Sequence, residues 1–205
     1  EQSLLTLPKT NFKKRNILSL QVKNEYLLNT KRGLIPNSHN RGRLWEKPAH
    51  LSFSTPKNYH FSSHIGLRIH GDSSRNLNKK SFRIYFRDDY KSKRNILFSK
   101  KIFNIESYIN TLVSRTVRNL YFSSSLLFDI RNKLGGLAPK VVSVATFINE
   151  KFYSFQELFQ HLDKRQLSQS LGKNIMYYEP KGHNHVPSQT AFNLLKLKVQ
   201  RKTRP

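Results

Sequence analysis

Residues 65–86, IGLRIHGDSSRNLNKKSFRIYF, carry the pattern that decides the fold. Apolar side chains occupy alternate positions on both sides of a polar middle: Ile65, Leu67 and Ile69 before it, and Phe82, Ile84 and Phe86 after it. Such alternation predicts two strands that each bury one face. The intervening residues 71–80 are rich in Gly, Asp, Ser and Asn, which favour turns. The segment therefore predicts an antiparallel hairpin with a long polar loop.

Further strands are predicted on either side of this hairpin. Upstream, NILSLQV at 16–22 alternates in the same way. Downstream, APKVVSVATFI at 138–148 is rich in β-branched residues, which is typical of a largely buried strand.

Helical spacing is found in the second half of the chain. Apolar residues from Glu106 to Leu127 recur at intervals of three and four, which predicts a helix, and residues 126–133 predict more helix that ends at Gly135 and Gly136. Residues 152–171 fit a helix by spacing, although the aromatic first half also fits a strand, and the pattern leaves both open. The expected fold class is α+β.

Composition restricts the possible functions. The chain has 205 residues, 37 Lys and Arg against 12 Asp and Glu, a net charge of +25 and no Cys. The lack of Cys excludes a disulfide framework, thiol catalysis and Cys-based zinc sites. Fourteen Phe and nine Tyr argue against wholesale disorder, and no apolar run has the ~18 residues that a membrane helix needs.

The two ends of the sequence bear on the expected domain organisation. The first residue is Glu1 rather than Met, so we expect a single incomplete domain over 1–205 and leave the localisation open. Residues 182–205 are expected to form a basic, polar and frayed tail.

The polar loop of the hairpin contains many groups that bind phosphate. It offers backbone N–H groups, two hydroxyls, one guanidinium and two ammonium groups, from Ser73, Ser74, Arg75, Lys79 and Lys80. These are the donors that proteins use for phosphate. Lys80 is in phase with Phe82 and is expected either to point to the buried face, where it needs a partner, or to extend to water at the sheet rim.

Two motifs resemble a known family. RGRLWEKPAHLSF at 41–53, followed by GLRIHGDSSRNLNKKSFRIYFRDDY at 66–90, is similar to the CotH family, the spore-coat-protein-H-like atypical kinases. The resemblance extends over about residues 18–181. It implies the N-terminal lobe and the start of the second lobe of a divergent protein-kinase-like fold, with an antiparallel sheet and packed helices.

The resemblance also implies a function. Members phosphorylate protein Ser/Thr with ATP and Mg²⁺, so the expected partners are a nucleotide and, in full-length relatives, a protein phosphoacceptor. Ser73, Ser74 and Arg75 would cover the ATP phosphates. Lys80, with Lys79 as second choice, would pair with phosphate oxygens.

The chain departs from the family pattern after Asn149. The family's G-x-x-x-G-x-Y-x-x-x-E is replaced at its marked positions by Glu150, Ser154, Gln156 and Gln160. Gln160 stands where the family has the glutamate that neutralises the phosphate-binding lysine. Glu157 would replace that glutamate only if the segment is helical.

The carboxylates needed for catalysis are also missing. Beyond Asp163 there is no Asp and a single Glu, Glu179, whereas phosphoryl transfer needs carboxylates to hold Mg²⁺ and orient the hydroxyl. We therefore expect a truncated or degenerate kinase domain that is inactive alone, and we assign neither a catalytic residue nor a metal site. His183 and His185 are more typical of a polar loop than of a metal site.

A second function class stays open. The net charge, with basic runs at 13–15, 91–94 and 201–204, fits a module that binds nucleic acid or another polyanion. The runs form no base-reading motif, so any such binding is expected to be non-specific.

Overall fold

The computed structural model describes residues 12, 14–93, 95–116, 124–134 and 138–161. The elements described below belong to a compact unit that ends at His161. The predicted tail at 182–205 and the second half of 152–171 lie outside the described residues.

Seven strands form the core of this unit. They are β1 Asn16–Gln21, β2 Lys47–Ser54, β3 His60–His70, β4 Ser81–Tyr85, β5 Thr111–Thr116, β6 Val141–Ile148 and β7 Lys151–Gln160. They close into a barrel in the order β1-β2-β3-β4-β5-β7-β6. The pair β1–β6 is parallel and brings Leu18 opposite Thr146, while the other neighbours are antiparallel.

Short helices occupy the connections. They are α1 Asn24–Leu28, α2 Ile96–Phe98 and α3 Ser124–Lys133, with a π-helical turn at Ser99–Phe103. Single 3-10 turns lie at Arg43–Trp45, Ser73–Asn76 and Asp88–Tyr90. Only α3 exceeds two turns among the described segments, so the strands supply most of the buried surface.

The barrel interior is filled by the alternating apolar side chains. Fully buried members include Leu18, Leu20, Leu51, Ile65, Leu67, Phe82, Ile84, Leu112 and Leu158. The predicted hairpin is confirmed as β3 and β4, in register from Gly66 opposite Tyr85 to His70 opposite Ser81. The strands predicted upstream and downstream are confirmed as β1 and β6.

The helix predicted from Glu106 to Leu127 is wrong in its first part, which contains β5. Leu112 faces the barrel interior and Val113 the opposite face, yet both are fully buried. A strand that buries both faces loses the alternation that distinguishes it from a helix. The shorter helix predicted at 126–133 is confirmed by α3.

The ambiguous segment that starts at Phe152 is a strand up to Gln160. Gln156 and Leu158 alternate with Glu157 and Phe159, and all four are buried because α3 covers the second pair: the Phe128 and Phe159 ring centroids are 6.0 Å apart. The aromatic residues of this segment, which favour strands, were therefore a better guide than the helical spacing of its apolar positions.

The fold is α+β, as predicted, but its sheet differs from the expected one. A closed seven-stranded barrel replaces the open antiparallel sheet of a kinase lobe. The difference arises at β1, which pairs with β2 on one side and in parallel with β6 on the other.

Candidate functional site

The polar loop between β3 and β4 begins with a turn that requires glycine. Gly71 has φ +105°, and a Cβ there would lie 1.8 Å from Ser74 Oγ. The 3-10 turn that follows leaves Ser73 exposed and Ser74 half-buried, and its backbone is closed by Arg75 N donating to Asp72 O at 3.0 Å. The sequence thus builds a tight loop with both hydroxyls near one turn.

Arg75, predicted as a phosphate ligand, is buried within this loop. Four of its five N–H donors bind backbone carbonyls: Gly71 O, Ser38 O, Asn40 O and Ile69 O. Burial first, and then neighbouring cations such as Arg41, lower the pKa of Arg75 from its ordinary value. The guanidinium therefore fastens the loop to residues 38–40.

Lys80 and Lys79 point in different directions. Lys80 is half-buried, and its Nζ donates to Arg75 O at 2.6 Å, so the ammonium folds back over the loop. Its backbone oxygen accepts from Gln156 Nε2 at 3.0 Å and from Thr116 Oγ1 at 3.1 Å. Lys79 is exposed, with Nζ 4.8 Å from the centroid of the Tyr153 ring. Both ammonium groups border the loop.

The two predicted lysine-partner positions lie elsewhere on β7. Gln160 is buried opposite Leu112, four strand positions, or about 13 Å, beyond the Gln156 amide that contacts Lys80. Glu157 belongs to a strand, so the helical condition for its role is not met. Its carboxylate instead accepts from Arg115 Nη2 at 3.3 Å and from Ser125 N at 3.4 Å.

A group of arginines and histidines that sequence reasoning missed lies on the sheet face turned away from the hydrophobic core. We call this the basic face; it consists of Arg68, His70, Arg83, Arg115 and His161, all half-buried. Alternation could have found its members on β3 and β4, because Arg68 and His70 are out of phase with Ile69, and Arg83 is out of phase with Phe82 and Ile84.

Arg83 is central to the basic face. It lies directly opposite Arg68 in the β3–β4 register. Its Nη2 is 3.3 Å from His161 Nδ1, and its Nε is buried without a hydrogen-bond partner. Buried, unpaired donors are rare in folded proteins and call for an explanation.

The positive charge of the basic face affects the pKa of His70. Burial, followed by the nearby Arg83 and His161, and then Arg75 and Arg115, lowers the pKa of His70 to about 3. The imidazole is therefore neutral at pH 7, and the surrounding field opposes a further positive charge there.

The motif around Trp45 and Glu46 has a structural role. The Glu46 side chain is 1% exposed, and its Oε1 accepts from Arg43 Nη1 at 2.9 Å and from Arg87 Nε at 3.0 Å. This joins the 3-10 turn before β2 to the residue that follows Phe86, and so fixes the start of β2 against the hairpin.

A family model described as CotH kinase protein matches residues 67–203. The chain belongs to the CotH kinase family. The matched range begins in β3 and includes the loop, β4 and the basic-face residues Arg68, His70, Arg83, Arg115 and His161. No curated protein matches the chain.

Two further observations concern the described part of this CotH-family chain. None of its helices is long and apolar enough to cross a membrane. Within the same residues, no three His, Asp or Glu side chains come together as a metal site would require.

Proposed function

We propose that this CotH-family chain binds the phosphates of ATP through the β3–β4 loop and does not itself transfer phosphate. The observation that carries the proposal is the construction of the loop. Gly71 and buried Arg75 hold it in one conformation, while Ser73 and the ammonium groups of Lys79 and Lys80 border its surface. A preformed donor set binds an anion without the cost of ordering itself.

The donor set suits phosphate better than it suits Mg²⁺. Hydroxyls, ammonium groups and backbone N–H groups all donate to phosphate oxygens. Mg²⁺ prefers carboxylate oxygens, and the acid within the loop, Asp72, forms an ion pair with Arg41 at 2.5 Å. The residues described here thus fit the nucleotide's phosphates, and they offer no set of carboxylates for the ion.

The proposed lack of transfer rests on the acids of the chain. Glu46 and Glu157 are the two buried carboxylates of the described residues, and both are bonded to arginines. After Asp163 the sequence contains one acidic residue, Glu179. Phosphoryl transfer needs further carboxylates, which hold Mg²⁺ and orient the attacking hydroxyl.

Isothermal titration calorimetry with ATP tests the binding part of the proposal. Lys79→Glu reverses a charge beside the loop and should weaken ATP binding by about tenfold or more. Lys57→Glu makes the same charge change at an exposed lysine in the β2–β3 turn, at the other end of β3, and should change the affinity less than twofold. Equal effects of the two substitutions, or no binding by the native chain, would contradict the loop as the site.

Radiolabelled ATP tests the second part. Incubation of the chain with Mg²⁺ and a general acceptor such as casein should give no labelled protein. Labelling above that of a heat-treated sample would overturn the proposed lack of transfer, while leaving ATP binding intact.

A second candidate is non-specific polyanion binding, which the net charge of +25 favours. Duplex DNA is the probe, because counterion release lowers log affinity by about 0.9 per log unit of salt for each phosphate neutralised. A steep slope would support this function. Absence of binding at low salt, or a flat response, would reject it.

A further inference from the structure

We propose that the basic face binds a polyphosphate chain and that Arg83 is its central ligand. The proposal deepens the function given above and rests on it only for the identity of the ligand as a nucleotide. Binding of the phosphates themselves is argued from the residues of the basic face alone.

The β-sheet register forces like charges together. Arg68 and Arg83 are directly opposite each other on β3 and β4, and opposed like charges destabilise a sheet. Arg115 on the next strand is balanced by Glu157. Among the residues that the structure describes, neither Arg68 nor Arg83 is paired with a carboxylate. An anion bound between them would relieve this repulsion.

Arg83 also has a donor that the fold leaves unused. Arg68 stacks over the Tyr85 ring at 5.1 Å and Arg115 over the Phe159 ring at 5.1 Å, whereas Arg83 Nε is buried and unpaired. Guanidinium groups bind phosphate with two parallel N–H bonds. A phosphate oxygen at Arg83 would satisfy the orphaned donor.

The size of the basic face indicates more than one phosphate. Arg68, Arg83 and Arg115 lie on three successive strands, which places them across about 10 Å. That distance exceeds a single phosphate ion and matches an anion with several linked phosphates. A compact carboxylate would meet one of Arg68 and Arg83 and leave the other without a counter-charge.

The basic face is continuous with the loop already described. His70 ends β3, Ser81 begins β4, and residues 71–80 join them. Arg68 and Arg83 are near enough to Arg75 of the loop to be, after burial and Arg41, among the causes that lower the pKa of Arg75, so a phosphate chain on the basic face would lie next to the loop. The loop and the basic face would contact different phosphates of the same ligand.

His70 provides a built-in reporter of binding. Its pKa is low partly because Arg83, His161, Arg75 and Arg115 surround it, with Glu157 as the acid of the same sheet face. Added negative charge should raise that pKa toward its ordinary value. The imidazole resonances of His70 should then shift when the anion binds.

Sodium tripolyphosphate is the probe for the experiment, by isothermal titration calorimetry on the full chain. Arg83→Gln should weaken binding by about tenfold or more. Arg83→Lys keeps the charge and loses the two parallel N–H donors of the guanidinium, so its affinity should lie between those of the native chain and Arg83→Gln. The control Arg32→Gln removes the same charge from an exposed pair with Glu25 and should change the affinity less than twofold.

The outcomes separate this inference from the proposed function. If Arg83→Gln does not fold, the shift of the His70 resonances in the native chain decides. Tripolyphosphate binding that is unaffected by Arg83→Gln, or an absence of both heat and His70 shift, would overturn the inference. Binding of tripolyphosphate without ATP would support it and overturn the proposed function. If Lys79→Glu weakens ATP binding and Arg83→Gln does not, the proposed function is supported and this inference is overturned.

Discussion

Gly66 lies directly against the carboxylate of Glu46: a Cβ at Gly66 would be 2.4 Å from Glu46 Oε1 and 2.4 Å from the Tyr90 ring. Glu46 belongs to the motif before β2 and Gly66 to the middle of β3. The two sequence motifs that resemble the CotH family thus approach closely at Gly66, and the ion pair of Glu46 with Arg87 joins them to the segment after β4.

Gly66→Ala should lower the free energy of unfolding by about 1 to 3 kcal/mol, because the new methyl group must displace Glu46 or Tyr90. Urea unfolding measures the loss. The matched test is a double-mutant cycle with Glu46→Ala, which makes room for the methyl group, so the cost of Gly66→Ala should shrink in that background. An unchanged cost would show that the contact with Glu46 is not its cause.

Glu46→Gln should lower the free energy of unfolding by about 3 kcal/mol, because it removes the charge from a buried group bound to two arginines. The two arginine side chains are 45% and 42% exposed and regain water, which places the loss at the low end for buried pairs. Glu25→Gln breaks the exposed pair with Arg32 and should cost about 1 kcal/mol or less. Equal losses in chemical denaturation would contradict the structural role of Glu46.

Glu150→Gly should stabilise the protein by about 1 kcal/mol. Asn149 and Glu150 form the two-residue turn between β6 and β7 and have φ of +47° and +69°, a conformation in which glycine avoids the strain of a side chain. Asn149→Gly in the same turn should instead destabilise, because the Asn149 side chain bonds both Val22 N and Val22 O. Thermal unfolding of both variants should give opposite changes in Tm, and changes of the same sign would exclude this account.

The stability of the native chain should fall as pH is lowered from 6.5 toward 3. In the fold burial and the surrounding cations lower the pKa of His70 from its ordinary 6.5 to about 3, so in this range the unfolded chain binds a proton that the folded chain does not. The slope is at most about 1.4 kcal/mol per pH unit. His70→Gln removes this proton and should flatten the slope, which urea unfolding at pH 7, 5 and 4 measures. If the free energies of unfolding of the native chain and of His70→Gln differ by the same amount at every pH, the expected role of His70 is contradicted.

The hairpin and the α+β class could be predicted because β3 and β4 keep polar residues on one face and apolar residues on the other. The strand β5 could not, since Leu112 and Val113 are buried on opposite faces, and only the packing of other elements determines that. Arg75 illustrates the limit at the candidate site. Its residue type suggests phosphate binding, yet the carbonyls that occupy it come from residues 38–40 and 69–71, whose proximity is a property of the fold. Alternation alone assigns Arg83 to the polar face of its strand, whereas its position opposite Arg68 depends on the β3–β4 register.

The parallel pair β1–β6 has a consequence for the order of events during synthesis. The barrel closes where β1 pairs with β6, and just beyond this pairing Val22 N donates to Asn149 Oδ1, 127 positions away, so β1 leaves the ribosome long before one of its two partners exists. Contacts this distant in sequence slow folding, and during that interval one edge of β1 is exposed to pairing with other chains. The pairing of β1 with β6 therefore completes the barrel only after residues 141–148 have been synthesised.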